Sequence, residues 1–157
     1  MERFPITAEG FKRMEVDLKQ LKSVERPNVI KAISEAREHG DLSENAEYSA
    51  AKEKQSFIEG RIQDLEARIS RAEVIDVSAL SGDKVMFGAT VTLIDEDTDE
   101  EVTYQIVGEY EADLKLGKLA LNAPIARAMV GKTIGDRIEV RTPKGEKFYE
   151  IAKVTFA

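Results

Sequence analysis

Two carboxylates within residues 37–48 (REHGDLSENAEY) have the types and spacing needed for metal chemistry. Asp41 and Glu44 stand three positions apart, and Mg²⁺ commonly takes one or two protein carboxylates, filling the rest of its octahedron with water and substrate oxygens. Two acids alone hold such an ion weakly. If Asp41 and Glu44 bind Mg²⁺, we expect them to complete a site whose other ligands belong to a partner.

The same two acids also have a structural interpretation. Asp41 followed three residues later by Glu44 resembles a capping box, and acids in a first helical turn are favoured by the helix dipole. Taken alone, these residues slightly favour capping. Capping does not, however, explain why the acids stand at the far end of a long hairpin, so both interpretations stay open here.

Two amphipathic segments flank the acids and predict an antiparallel coiled coil. Residues that are apolar apart from Gln55 recur at alternating spacings of three and four, the a/d pattern. They are Phe11, Met14, Leu18, Leu21 and, in the second segment, Ala51, Gln55, Ile58, Ile62, Leu65, Ile69, Ala72. Pairs such as Phe11 with Ala72 have residue numbers that sum to 83, which centres the hairpin at 41.5. With about 30 residues per arm, the hairpin would reach about 45 Å.

The coiled-coil seam is expected to weaken toward the tip. The same sum brings Asn28 opposite Gln55, whereas the pairs at the base of the hairpin contain Leu and Ile. Pro27 removes a backbone donor and should kink the first arm. Gly40 stands where the first helix should end.

The composition predicts a cytoplasmic protein of two parts. The chain has 157 residues, of which 34% are charged, and it contains no cysteine. It has no apolar run long enough to cross a bilayer and no signal-peptide pattern. Its net charge of −7 argues against general nucleic-acid binding. Contact with RNA must therefore come from a local patch or from insertion into a larger complex.

The helical period stops near residue 77, and the rest of the chain predicts a small α+β domain. Apolar alternation indicates strands over residues 84–94, 102–107, 118–121, 137–142 and 147–156. Thr142-Pro143-Lys144-Gly145-Glu146 predicts a hairpin turn. Residues 122–131 predict a short capped helix with a glycine stop. The expected domains are thus a coiled-coil hairpin over 1–76, with an acidic tip near 38–47, and an antiparallel sheet domain over 77–157.

Other candidate sites are incomplete. Asp95, Asp97 and Asp99 imitate the start of a calcium loop, but Glu100 stands where that loop needs glycine, so a solvated hairpin loop is expected. His39 is the single histidine and cannot assemble a zinc site in a chain without cysteine. The sequence contains no complete active site of its own.

Three segments carry a resemblance to a known family. Residues 35–48 (EAREHGDLSENAEY), 87–91 (FGATV) and 122–132 (NAPIARAMVGK) resemble the bacterial transcript cleavage factors of the Gre family, and the similarity runs through essentially the whole chain. The resemblance implies an FKBP-like second domain that docks at the rim of the RNA polymerase secondary channel. It also implies a hairpin that passes down this channel to the polymerase active centre.

The resemblance further implies a mechanism. Asp41 and Glu44 match acids that help retain a second Mg²⁺, shared with the polymerase, for hydrolysis of the displaced RNA 3′ end by the polymerase itself. The ion is not expected to bind tightly to the free protein. Arg37 and Lys52 match basic positions that contact the displaced RNA. The protein would be an accessory factor, not an enzyme, and would act as a monomer.

Two other classes of function remain. One is a regulator or inhibitor that enters the secondary channel without promoting cleavage, which the acid pair Asp41 and Glu44 argues against. The other is a coiled-coil adaptor or peptidyl-prolyl isomerase. With no tryptophan and 6% aromatic residues, the chain has little with which to line a proline-binding pocket.

Overall fold

A computed structural model describes residues 2–40 and 45–156 as two compact units. One unit comprises residues 11–72, and the other comprises residues 2–10 together with 73–156. The division differs from the predicted boundary after residue 76 in two respects. Residues 73–76 belong to the sheet unit, and so do residues 2–10, whose strand pairs with the strand that begins at Ala72.

Four helical segments make up the hairpin. They are α1 (Ala8–Gln20), a π-helical turn (Leu21–Glu25), α2 (Arg26–Arg37) and α3 (Ala46–Arg71). Helices α2 and α3 pack against each other as the two distal arms. The midpoint between Arg37 and Ala46 is position 41.5, which confirms the predicted centre of the hairpin. None of the helices among the described residues is long and apolar enough to span a membrane.

The predicted seam is confirmed in the base of the hairpin. Met14 and Leu21 of the first arm are buried, as are Ile58, Ile62 and Leu65 of the second. These apolar side chains leave water when the arms pair, and that burial is the main source of free energy available to such a two-helix unit.

The seam shifts by one residue beyond the π-helical turn. Val29, only 3% exposed, is buried in place of the predicted Asn28, and Ile33 and Ala36 follow it at spacings of four and three. The reason is local: the N–H of Arg26 donates to the carbonyl of Leu21, five residues back. A π turn holds one residue more than an α turn, so every later side chain moves one position along the seam.

This shift corrects two expectations about the distal arm. Asn28 is exposed and does not face Gln55 across the seam as predicted, and the distal seam is more apolar than expected. Pro27 lies in the first turn of α2, directly after the π-helical turn. The backbone before Pro27 is helical as well, so this proline lies in a continuous helical run next to the π-helical turn.

Seven strands form the sheets of the second unit. They are β1 (Phe4–Thr7), β2 (Ala72–Ile75), β3 (Thr90–Asp95), β4 (Glu101–Val107), β5 (Lys118–Ala120), β6 (Arg137–Thr142) and β7 (Gly145–Thr155). Strands β1 and β2 pair as a two-stranded sheet, and the other five have the order β5-β4-β3-β7-β6. The predicted antiparallel pairing is found between β3, β4, β6 and β7, whereas β5 at one edge runs parallel to β4.

The core of this unit lies between the five-stranded sheet and the short helix α4 (Pro124–Met129). Val91, Leu93 and Ile151 from adjacent strands are fully buried, as are Ala126 and Met129 of α4. The β6–β7 turn pairs Thr142 with Gly145, which confirms the predicted hairpin. The predicted short helix is also present, but its N-cap is Ala123, which makes no side-chain capping bond.

Within the second unit, one carboxylate joins strand β1 to the loop that follows β4. Glu111 accepts hydrogen bonds from the backbone N–H of Thr7 and of Gly108, each at 2.9 Å, and from the Thr7 hydroxyl. A Cβ at Gly108 would stand 2.5 Å from the carbonyl oxygen of Pro5, which cannot move aside as a side chain can. Glycine is thus required where the first strand passes this loop.

Asp95 differs from the solvated residue that the sequence suggested. Its side chain accepts a hydrogen bond from the N–H of Asp97 at 2.9 Å and one from Lys147 Nζ at 3.1 Å, and the residue is 7% exposed. The Asp97 N–H and then the Lys147 ammonium hold the pKa of this carboxyl below its usual range. The loop after β3 is a hairpin, as predicted, but Asp95 anchors it.

Candidate functional site at the hairpin tip

The first arm ends close to the predicted position. Helix α2 ends at Arg37, and the N–H groups of Glu38 and His39 donate to the carbonyls of Glu35 and Ala36 at 3.2 and 3.1 Å. Gly40 follows with a φ of +102°, a conformation that residues with a Cβ rarely adopt. The prediction that Gly40 stops the first helix is confirmed.

Asn45 forms the entrance to the second arm. It is the N-cap of α3, and its side-chain oxygen accepts a hydrogen bond from the N–H of Tyr48 at 3.0 Å. Its side-chain nitrogen donates to the carbonyl oxygen of Ala36 in α2 at 2.7 Å. One amide therefore caps the start of α3 and binds the end of α2. The sequence alone did not predict this role of Asn45.

The position of this cap bears on the interpretation of the acids. Asp41 and Glu44, predicted as catalytic and Mg²⁺-binding residues, lie outside the described residues, and these roles stay predictions. The capping alternative proposed Asp41 as an N-cap, but the N-cap of α3 is Asn45. Capping of the second arm therefore requires neither acid.

The described residues offer no competing metal centre. Within 2–40 and 45–156, no group of three or more histidine, cysteine or acidic side chains is placed to hold a metal ion. Near the tip, His39 Nε2 lies 3.8 Å from a carboxylate oxygen of Glu47, and both side chains are exposed. This pair links the end of the first arm to the first turn of the second when the histidine is protonated.

Arg37 and Lys52, the predicted RNA-contacting residues, come together on one side of the hairpin. Both are exposed, and both line a shallow depression of about 200 Å³ with Ser34 and Gln55. Lys52 Nζ donates to Gln55 Oε1 at 3.2 Å. Two cations on opposite arms thus face the same depression, which suits an anionic ligand such as a phosphodiester chain.

Ion pairs join the two arms farther from the tip. Arg26 donates from Nε and Nη2 to the two carboxylate oxygens of Glu59, at 2.8 and 2.7 Å, a fork that lysine cannot reproduce. The hydrogen bond from Arg26 lowers the pKa of Glu59. Lys22 and Glu66 form a longer contact at 3.5 Å. The predicted sum of 83 would place Phe57 opposite Arg26, so the spacing of the seam did not reveal the contact with Glu59.

The second unit has an apolar cavity of about 340 Å³ beside its first strand. It is lined by Phe4, Pro5, Gly108, Glu109, Leu121, Asn122 and Arg127. The Phe4 ring packs edge to face against Tyr110, with the ring centroids 4.9 Å apart. Two residues that line the cavity, Asn122 and Arg127, belong to the segment 122–132 that carried part of the resemblance.

Comparison with family models gives matches over both units. The model described as "Transcription elongation factor, N-terminal" matches residues 4–74. The model described as "Transcription elongation factor, GreA/GreB, C-term" matches residues 80–156. Together they span nearly the whole chain.

Individual relatives agree with these matches. The chain is 63% identical to transcription elongation factor GreA of Rhodospirillum rubrum over 99% of each chain, and 64% identical to that of Phenylobacterium zucineum over 98% of each. Among solved structures, a GreA/GreB factor from Nitrosomonas europaea matches 98% of this chain and 100% of its own, at 25% identity and a TM-score of 0.44.

Proposed function

Because the chain belongs to the GreA/GreB family of transcription elongation factors, we propose that it stimulates the RNA polymerase to hydrolyse the 3′ end of backtracked RNA. The polymerase carries out the reaction, and this chain is an accessory factor that acts beside it in the cytoplasm as a monomer. The observation that carries the proposal is the hairpin tip. Two paired helices end at Arg37 and begin at Ala46, on either side of the acids Asp41 and Glu44.

The helices have the length needed to carry these acids into a deep channel. Helix α3 alone has 26 residues, which corresponds to about 39 Å at a rise of about 1.5 Å per residue. In our proposal the hairpin enters the secondary channel of the polymerase, and the sheet unit docks at the channel rim. The sheet unit suits this task because its buried core gives it a fixed surface.

At the active centre, Asp41 and Glu44 would offer carboxylate oxygens to a Mg²⁺ ion shared with the polymerase. Carboxylates are ligands that Mg²⁺ prefers, and the capping of α3 by Asn45 leaves these two acids without that competing task. When bound, the ion lowers the pKa of a coordinated water and stabilises charge on the phosphate oxygens. The acids contribute negative charge and orientation, while the polymerase supplies the remaining ligands.

Arg37 and Lys52 would hold the displaced RNA. Their exposed cationic groups face one depression, where they can attract phosphate oxygens without reading the bases. Such contacts place the RNA relative to the acids and give the interaction a dependence on salt. The net charge of −7 makes this local pair important, since the chain as a whole repels nucleic acid.

Replacement of one acid tests the proposal. Asp41→Asn retains a polar side chain of nearly the same shape but removes the charge offered to Mg²⁺. In backtracked elongation complexes with 3′-labelled RNA, we expect it to lower the cleavage rate at saturating protein by at least ~10-fold while binding to polymerase persists. The matched control is Glu53→Gln, which removes an exposed charge from α3 outside the tip.

The same assay separates cleavage from simple occupation of the channel. A wild-type protein that binds the polymerase and slows elongation without cleaving RNA would identify it as a channel-binding regulator. Full cleavage by Asp41→Asn would remove the acid from the mechanism.

A further inference from the structure

We propose that Asn45 is a positioning residue for transcript cleavage, because its side chain fixes the two ends of the segment that carries Asp41 and Glu44. This inference rests on the proposed function and concerns the same tip. It assigns to an uncharged residue outside the acid pair a specific effect on the rate of cleavage.

The two hydrogen bonds of Asn45 run to different arms. Its Oδ1 accepts from the N–H of Tyr48 in α3 at 3.0 Å, and its Nδ2 donates to the carbonyl oxygen of Ala36 in α2 at 2.7 Å. Aspartate and serine cap helices about as well as asparagine does. Only asparagine among them has both a capping oxygen and an NH₂ group on the same side chain. Capping alone therefore does not account for the second bond.

The carbonyl oxygen of Ala36 needs hydrogen-bond donors from outside the helix. It is one of the last carbonyls of α2, which have no intrahelical donor, and Ala36 is 3% exposed. The N–H of His39 uses one side of this oxygen at 3.1 Å, and Asn45 uses the other. Without the Asn45 donor, this oxygen would have one hydrogen bond fewer, and the end of α2 would lose its direct side-chain link to Asn45.

The link connects the two described positions that flank the acids in the sequence. Residues 36 and 45 are joined through one side chain, so the segment between them, which contains Asp41 and Glu44, starts and ends at fixed points. Gly40, with its φ of +102°, sets the direction in which the chain leaves the first arm. A displacement of about 1 Å in groups that position a reaction can cost about 100-fold in rate. The Asn45 amide thus acts on the cleavage step by fixing the positions of residues 36 and 45, between which the acids lie in the sequence.

Two substitutions separate this role from capping. Asn45→Ser and Asn45→Asp both retain an N-cap oxygen, but neither supplies the NH₂ donor for Ala36. Serine is neutral and aspartate is charged, so the pair distinguishes the lost donor from an added charge. Asn28→Ser, at an exposed position of α2, is the matched control.

The experiment measures single-turnover cleavage of labelled RNA in backtracked complexes over a range of factor and Mg²⁺ concentrations. For both Asn45 variants, we expect the maximal rate to fall by about 10-fold or more and the half-saturating Mg²⁺ concentration to rise. The half-saturating factor concentration and the helical circular dichroism should stay within about twofold and a few per cent of the wild-type values. Asn28→Ser should behave as the wild type.

Three results would overturn the inference: an unchanged maximal rate in Asn45→Ser, a loss confined to Asn45→Asp, or a loss that follows weaker binding or lower helicity. Asp41→Asn in the same assay keeps the two proposals apart. If the wild type does not stimulate cleavage, the proposed function fails, and if Asp41→Asn cleaves normally, the proposed role of that acid fails. If Asp41→Asn is inactive while both Asn45 variants cleave normally, only the positioning role of Asn45 fails.

Discussion

Buried residues are distributed differently in the two compact units. In the sheet unit they form one cluster that includes Val91, Leu93, Ile106 and Ile151, each without exposed surface. In the hairpin they form a single line along each arm, and the opposite faces of the helices are exposed. A buried side chain in the sheet unit is surrounded by other buried side chains, whereas one in the hairpin contacts them on one side only.

The difference shows what fixes the geometry of each unit. Burial alone can hold the sheet unit, because its core side chains are enclosed by both strands and helix. The hairpin depends on specific polar contacts at separate points, namely the Arg26–Glu59 fork and the Asn45 amide. Local changes in the hairpin can therefore alter its tip while the sheet unit stays folded.

The largest effect on stability is expected from the centre of the sheet. Ile151→Ala removes a side chain that is 0% exposed and paired with Leu93 of the adjacent strand. The cavity should lower the free energy of unfolding of this unit by about 2–5 kcal/mol. Chemical denaturation followed by tyrosine fluorescence would measure it. A loss below 1 kcal/mol would mean that the sheet closes over the gap.

The equivalent truncation in the hairpin should cost less. Ile62→Ala removes a side chain that is 1% exposed, but it lies on a seam between two helices that can move closer together. We expect a loss near the lower end of the range, about 2 kcal/mol, in a transition followed by helical circular dichroism. If Ile151→Ala and Ile62→Ala each shift both transitions equally, the two units unfold as one and the comparison does not hold.

Acid should weaken the sheet unit through Asp95. The folded pKa of this carboxyl is lowered by the Asp97 N–H and by Lys147. Its contribution is therefore fully present above the unfolded pKa of about 3.9 and is lost as the pH falls through the lower, folded value. Asp95→Asn should be less stable than wild type at neutral pH, and the gap should close in acid. Glu100→Gln is the control, and a gap independent of pH would contradict the assignment.

The smallest effect is expected from the ion pair between the arms. Arg26→Lys keeps the charge but loses the two-point contact with Glu59. We expect a slight fall in the melting temperature of the hairpin, detectable at low salt and absent at high salt. Lys31→Arg, in an exposed pair with Glu35, should leave the melting temperature unchanged. A large fall in the melting temperature at all salt concentrations would show that the contact between Arg26 and Glu59 stabilises the hairpin more than its exposure suggests.

Heptad spacing and the turn residues predicted the hairpin, its centre and the β6–β7 turn. The shift from Asn28 to Val29 was not predictable in the same way, because a π turn changes the count without changing the pattern on either side. Strand β1 was missed because four residues before a helix carry no periodicity, and its partner β2 continues the helical pattern. The burial of Asp95 depends on Lys147, which is distant in sequence. Asn45 lies within the segment that drew attention to the tip, but residue spacing could not predict its hydrogen bond to the Ala36 carbonyl.

The pairing of β1 with β2 has a consequence for how this molecule can be rearranged. The chain leaves the sheet unit after residue 10 and returns to it at residue 73, and the strands on either side of this excursion are neighbours of four residues each. The chain thus leaves and re-enters the sheet unit through the same two-stranded sheet, whose strands lie about 5 Å apart. The helical hairpin is therefore an insertion between two paired strands of the sheet unit. Hairpins with other tips can be grafted between β1 and β2 while the sheet unit keeps its own fold.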